Sequence, residues 1–169
     1  MNSTGDGAGT GEPLAGRTIL SRVGTRQTRT FPARLGETSN VSAFVESVAA
    51  GLDDRLVMRL RLAVEELFVN TVTHGHGGDS DALVDVTVHV DGDRVVLVYE
   101  DQAPPFDPFA SVAPPDAAAT VEARDVGRLG LFLVTQIAAR CRYERAGDRN
   151  CVTVELPSAR LRQADRSEV

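Results

Sequence analysis

Glu66, Asn70 and His74 stand at i, i+4 and i+8 in the stretch DDRLVMRLRLAVEELFVNTVTHGHGG, residues 53–78. If that stretch is helical, a carboxylate, a carboxamide and an imidazole fall in one row. An Asn oxygen can ligate a hard cation such as Mg²⁺, and a Glu one turn earlier can reach the same cavity as an acid or base. A solvated helix face is the ordinary reading of such a row. Asn argues against it, because mid-helix it has poor propensity and its amide competes with the backbone for hydrogen bonds.

Two further stretches could carry chemistry. Asp101-Gln102-Ala103-Pro104-Pro105-Phe106-Asp107-Pro108 is a proline-fixed loop that displays two carboxylates. Loops held this way on a scaffold often carry function. Gly127-Arg128-Leu129-Gly130 opens an apolar run, LGLFLVTQIAAR. Glycines at a helix start let the backbone approach a ligand, and the free N–H groups favour phosphate there. Two glycines three apart also suit an ordinary turn into a helix.

The elements that must position these residues follow from periodicity. Leu56, Leu60, Ala63, Val64 and Leu67 make the apolar stripe of a helix of about five turns, with Asp53 or Asp54 as its cap and Gly75 as its stop. Before it, Val41, Phe44, Val45 and Val48 predict a shorter helix from an Ser39 cap to Gly51. Thr28 to Leu35 is a strand that Pro32 places at an edge or bulge. Val84, Val86, Val88 and Val90 alternate with polar residues, Asp91-Gly92-Asp93 turns, and RVVLVYE returns, so a hairpin feeds the proline loop. His89 falls on its solvated face. Cys141 to Arg145 and Cys151 to Leu156 predict a second hairpin. Residues 110–124 are small, Pro-containing and unpatterned, as lids and disordered segments are. Residues 1–26 and 158–169 are polar tails around one folded unit, 27–157.

Composition narrows the class. At 169 residues and 42% hydrophobic, one domain with a sizeable core suffices. A net charge of -6 argues against direct nucleic-acid binding, whose footprint is a basic patch. No segment approaches about 18 uninterrupted apolar residues, and the start lacks a signal peptide's basic and apolar regions, so the reading is a cytoplasmic protein with no membrane partner. Cys141 and Cys151 then read as two reduced core thiols, too few for a structural zinc site. All 18 basic residues are Arg. Without Lys, a Walker-type P-loop, a protein kinase of the bilobal type and a Schiff-base enzyme are set aside.

Taken in order, Glu-x-x-x-Asn on a helix, Asp with a tight PFDP loop after a hairpin, and a Gly-rich helix start resemble the GHKL (Bergerat-fold) ATPase superfamily. The branch they resemble is that of the anti-sigma factor serine-protein kinases, over residues 28 to 157. The resemblance implies an α+β fold: a two-layer α/β sandwich with a mixed, mainly antiparallel sheet and three helices on one face. It also implies ATP and Mg²⁺ as cofactors. Asn70 would coordinate the metal on the phosphates, Glu66 would act as general base with Glu65 in support, and Asp101 would bind the adenine amine. Ala103 and Phe106 would line the nucleotide site, and Gly127, Arg128, Leu129, Gly130 and Leu131 would meet the phosphates. The implied partners are a sigma factor, which the protein sequesters, and a STAS-domain antagonist, which it phosphorylates on serine. Family members often form homodimers, which is open here too.

Ala103 departs from the pattern, since the second motif usually reads Asp-x-Gly. If the position needs positive φ, Ala costs on the order of 1 kcal/mol. Two rival readings stay open: a catalytically silent module that acts only by sequestering a partner, and an ATPase or histidine-kinase-type catalytic domain apart from its partner domains.

Overall fold

A computed structural model describes residues 24–92, 94–110 and 126–157, with no side chains at 126–128. The expected tails therefore lie almost wholly outside the described residues, and so does the unpatterned stretch beyond Ala110. In chain order the elements are β1 (Thr25–Pro32), a 3₁₀ turn (Leu35–Glu37), α1 (Thr38–Val48), α2 (Asp54–Asn70), a π-helical turn (Thr71–Gly75), β2 (Leu83–Asp91), β3 (Arg94–Asp101), α3 (Val126–Ile137), β4 (Arg140–Ala146) and β5 (Arg149–Leu156).

The strands form one five-stranded sheet in the order β1-β2-β3-β5-β4, and every neighbouring pair is antiparallel. The expectation of a mixed sheet is corrected on this point. The crossover through α3 does make β3 and β4 run the same way, as a helical connection must. β5 returns between them and pairs with both, so no parallel neighbours result. β1 begins at Thr25, inside the expected tail, and lies at the sheet edge with Pro32 as its last residue, where no ladder donor is missed.

Alternation decides which face is covered. Val84, Val86 and Val88 of β2, Val95, Leu97 and Tyr99 of β3, and Val152, Val154 and Leu156 of β5 share one core with Val41, Phe44 and Val45 of α1, Leu60, Val64 and Leu67 of α2, and Leu131 and Val134 of α3. All three helices thus lie on one face, in two layers. The opposite face carries Asp85, Glu100, Thr153 and Cys151, with Arg149 bonded to Asp85 at 2.6 Å. Both cysteines are free: Cys141 packs against the core and Cys151 stands on the open face, which corrects the reading of two core thiols.

Helix starts differ from one another. Asp53 caps α2, its carboxylate accepting the Arg55 N–H at 2.9 Å, while Asp54 lies in the first turn. Ser39 does not cap α1. The chain is already turning as a 3₁₀ helix at Leu35, so α1 continues from it with Ser39 inside the first turn. At the other end of α2, regular winding stops at Asn70. The His76 N–H reaches the Thr71 carbonyl at 2.9 Å, five residues back, so His74 is displaced from the Glu66/Asn70 row and is exposed.

Candidate functional site

Alternation along β3 puts Val95, Leu97, Tyr99 and Asp101 on the helix-facing side. The strand's last residue therefore carries a carboxylate into the layer between sheet and helices, where Asp101 is 4% exposed. A charge so placed must be hydrogen-bonded. The Ala103 N–H and Asn150 Nδ2 each donate to Oδ1 at 2.8 Å, and Thr71 Oγ1 donates to Oδ2 at 3.1 Å. A carboxylate has about four lone-pair positions, so Oδ2 keeps one open for a ligand's donor.

Asn150 ties this arrangement together. It occupies the core-facing side of β5 directly opposite Asp101 and is 3% exposed. Its Nδ2 also meets the carbonyls of Ala103 and Pro104, both at 3.2 Å. Its Oδ1 accepts from the Tyr143 hydroxyl at 3.0 Å and from Arg145 Nη1 at 2.9 Å. Arg145 Nη1 in turn reaches the Ala103 carbonyl at 3.0 Å. The proline loop is thus fixed to β4 and β5 through one carboxamide.

Ala103 is part of that structure. Its methyl faces Gly75 so closely that a Cβ on Gly75 would fall 2.8 Å from it. The chain has its glycine at 75 and its alanine at 103, and the two fit each other. Leu67, Asn70, Thr71, Tyr99, Asp101 and Phe106, with Ala103 and Asn150, line a pocket holding about 360 Å³ of space, its open mouth included. Phe106, 54% exposed, stands at the rim.

Asn70 and Glu66 extend from this pocket along α2. Asn70 Nδ2 donates to the Glu66 carbonyl at 2.7 Å, which satisfies the mid-helix amide and leaves Oδ1 without a donor among the described residues. Among those residues no cluster of three or more His, Cys, Asp or Glu could hold a metal. A cation here would depend on Asn70 Oδ1, phosphate and water, a donor set that suits Mg²⁺.

The half-buried Glu66 carboxylate lies on the first turn of α3, where a Cβ at Gly130 would overlap it. Burial first, and the neighbouring charge of Glu65 second, hold the Glu66 carboxyl above the usual carboxylate range. Glu65 faces elsewhere, accepting from Ser42 Oγ at 2.6 Å and from Arg61.

The structure thus brings Asn70, Asp101, Ala103 and Phe106 to one pocket, and Glu66 to Gly130 one turn away. Leu129 is exposed, whereas the Leu131 side chain is 4% exposed and belongs to the core, so it offers a ligand no more than its backbone. Gly127 and Arg128 lie in the first turn of α3, and the Arg128 side chain is outside the described residues. Sequence reasoning missed Thr71, Tyr99 and Asn150. The signal was present in the strands: a polar residue at 150 interrupts the core-facing series Val152, Val154, Leu156, and Tyr99 precedes Asp101 by one period.

Residues 31–156 match the family described as histidine kinase-like ATPase domain. The chain is similar to the serine-protein kinase RsbW of Listeria innocua serovar 6a, 28% identical over 88 residues, an alignment that covers 50% of this chain and 56% of that one. It therefore spans little more than half the length of that relative. Among solved structures it is similar to the RsbU and RsbW domains of Rv1364c from Mycobacterium tuberculosis, with a TM-score of 0.56 at 17% identity over 79% of this chain and 32% of that one. A blue-light activated histidine kinase of Erythrobacter litoralis is similar at a TM-score of 0.50 and 14% identity, over 79% of this chain and 44% of that one. At these identities the two structures speak for the fold alone.

Proposed function

The chain belongs to the histidine kinase-like ATPase domain family, and from that premise we propose that it is an anti-sigma regulatory kinase. It binds ATP with Mg²⁺, phosphorylates a serine of a STAS-domain antagonist, and sequesters a sigma factor. Similarity to a serine-protein kinase over half the chain supports this branch of the family. No helix among the described residues is long and apolar enough to cross a membrane; a cytoplasmic place of action is part of the proposal. A homodimer is part of the proposal and is checked by light scattering.

The observation that carries the reading is the series of groups that starts at the end of β3 and continues along α2: an open acceptor position on Asp101, the Oδ1 of Asn70 without a donor among the described residues, and Glu66 one turn further. Asp101 accepts the amine of adenine. Asn70 would hold Mg²⁺, which supplies charge neutralisation on the phosphates when bound. Backbone N–H groups at the start of α3, near Gly127 and Gly130, face the phosphates, with Arg128 the nearest cation in sequence. Glu66 takes the proton of the incoming serine hydroxyl; a carboxyl held above its usual range is the stronger base once ionised.

Calorimetric titration with ATP, with and without Mg²⁺, tests the reading. Mg²⁺-dependent binding, followed by transfer of labelled phosphate to serine of a STAS-domain protein, is the expected result. Absence of binding at high ATP would sink it. A second reading, partner sequestration without catalysis, draws on the packing of Glu66 onto Gly130, which leaves the carboxylate half-buried. ATP binding with no transfer would favour that alternative.

A further inference from the structure

Tyr99 is the side chain of the pocket that no bond accounts for. It stands two residues before Asp101 on the same face of β3, is 1% exposed, and lines the pocket, yet its hydroxyl has no hydrogen-bond partner among the described residues. The polar groups that bear on it are the Thr71 hydroxyl and the Asp101 carboxylate, and these are bonded to each other at 3.1 Å. A buried hydroxyl left unpaired costs free energy, while Phe would fill the same volume without that cost. Burial pushes the phenol well above its ordinary pKa, so it stays an O–H and can donate.

The pocket therefore has two unmet needs beside each other: an open acceptor position on Asp101 Oδ2 and an unpaired donor on Tyr99. Adenine carries the complement along one edge, an exocyclic amine beside the ring nitrogen N1. We infer that Tyr99 recognises the base: its hydroxyl donates to N1 of the adenine whose amine Asp101 accepts, directly or through one bridging water. This rests on the adenine-nucleotide reading above. The same pair rejects guanine, which sets a carbonyl oxygen against the Asp101 carboxylate. The hydroxyl is closed to bulk water, so binding of the base is the event that pairs it.

The test is a cycle of four titrations: the full chain and Tyr99→Phe, each with Mg²⁺-ATP and with its 1-deaza analogue, which lacks the N1 acceptor. The unmodified chain binds ATP roughly 5- to 30-fold more tightly than the analogue, the range of one buried hydrogen bond. Tyr99→Phe loses that factor for ATP and no longer distinguishes the two ligands. Thermal unfolding without nucleotide supplies the second readout, and Tyr99→Phe melts at the same temperature or higher. Equal affinity of the unmodified chain for both ligands would overturn the inference while leaving the nucleotide reading in place. So would a Tyr99→Phe variant that keeps the preference, or one that melts lower and weakens both ligands alike. Failure of the unmodified chain to bind ATP at all would remove both.

Discussion

The two ends of the site, one turn of α2 apart, are held in different ways. At the Asp101 end every group but one acceptor position and the Tyr99 hydroxyl is engaged, and the bonds converge on Asn150 from β3, β4 and the proline loop. At the Glu66 end a single carboxylate rests on the backbone of α3 where a side chain would not fit, and among the described residues no hydrogen bond holds it. The first is a scaffold whose geometry is over-determined; the second is a contact between two helices that depends on one missing methyl. Under the proposed function, recognition falls to the former, because a base must be met by groups that do not reorganise. The proposed proton transfer tolerates the latter, because a carboxylate that is to meet an incoming hydroxyl must be free to turn.

The largest break in this contrast is Asn150→Ala. It leaves the buried Asp101 carboxylate with two donors and strips partners from Tyr143 and two loop carbonyls. Loss of about 2–4 kcal/mol in urea unfolding is expected, within the range for breaking a buried polar network. ATP affinity should vanish with it. An unchanged unfolding midpoint would show that the network is not what fixes the loop.

Glu66→Ala should act on the other end in the opposite sense. Phosphate transfer falls by about 10²-fold or more, the ordinary contribution of a general base, while ATP affinity measured by calorimetry and the unfolding free energy stay close to those of the unmodified chain. The pH dependence has a definite sign. Because the folded-state pKa of Glu66 is raised, the native state holds the proton more tightly than the unfolded chain does. Its contribution to stability is thus full below the ordinary carboxylate value and is lost as pH rises through the raised one. Glu66→Gln should therefore gain stability relative to the unmodified chain as pH rises above the ordinary carboxylate range. The gain stays under about 1 kcal/mol, since solvent screens a half-exposed group. The acid limb of the transfer rate should lie above the usual carboxylate range.

The same contrast explains what could be read without coordinates. Helices and hairpins follow from local periodicity; Asn70 stood out because its type conflicts with a helix interior, Glu66 by its spacing from Asn70, and Asp101 by its place in a proline-fixed loop. Asn150 was not, because its role is set by register: only the antiparallel pairing of β5 beside β3 sets it opposite Asp101. The expectation of a mixed sheet failed for a related reason. A crossover helix predicts that β3 and β4 run parallel, and nothing local says that β5 comes to lie between them. The break of the Glu66/Asn70/His74 row came from a π-helical turn, for which a 3.6-residue period gives no warning.

Gly130→Ala sharpens the Glu66 end. Alanine favours a helix by up to about 1 kcal/mol over glycine, but its methyl would meet the Glu66 carboxylate, the far end of a flexible side chain that can swing aside. Unfolding free energy should change by less than about 1 kcal/mol, while transfer falls roughly 10-fold as the base is displaced. In the double variant with Glu66→Ala the methyl has room, so the stabilising part of the substitution should appear in full. Additive stabilities would show that the two residues do not touch in solution.

The smallest expected effect separates two accounts of Ala103. If the Asp-x-Gly position demands glycine for its backbone, Ala103→Gly relieves strain and raises both stability and ATP affinity. The packing argues otherwise. The Ala103 methyl is buried against Gly75, its N–H is bound to Asp101, and its carbonyl is bound to Asn150 and Arg145. Removing the methyl opens a gap and adds backbone freedom to the unfolded chain, which together cost about 1 kcal/mol. The loss should appear as a lower unfolding midpoint at unchanged denaturant dependence, with ATP affinity reduced by less than about 5-fold. Gly75→Ala alone should be worse than Ala103→Gly alone, because it forces two methyls into one space. Combining them should recover part of the loss, since the pair then carries one methyl again, on the other side. Recovery would mean that this pocket keeps its shape by dividing one alanine and one glycine between the π-helical turn and the loop, and that the motif's usual glycine is one of two ways to do so.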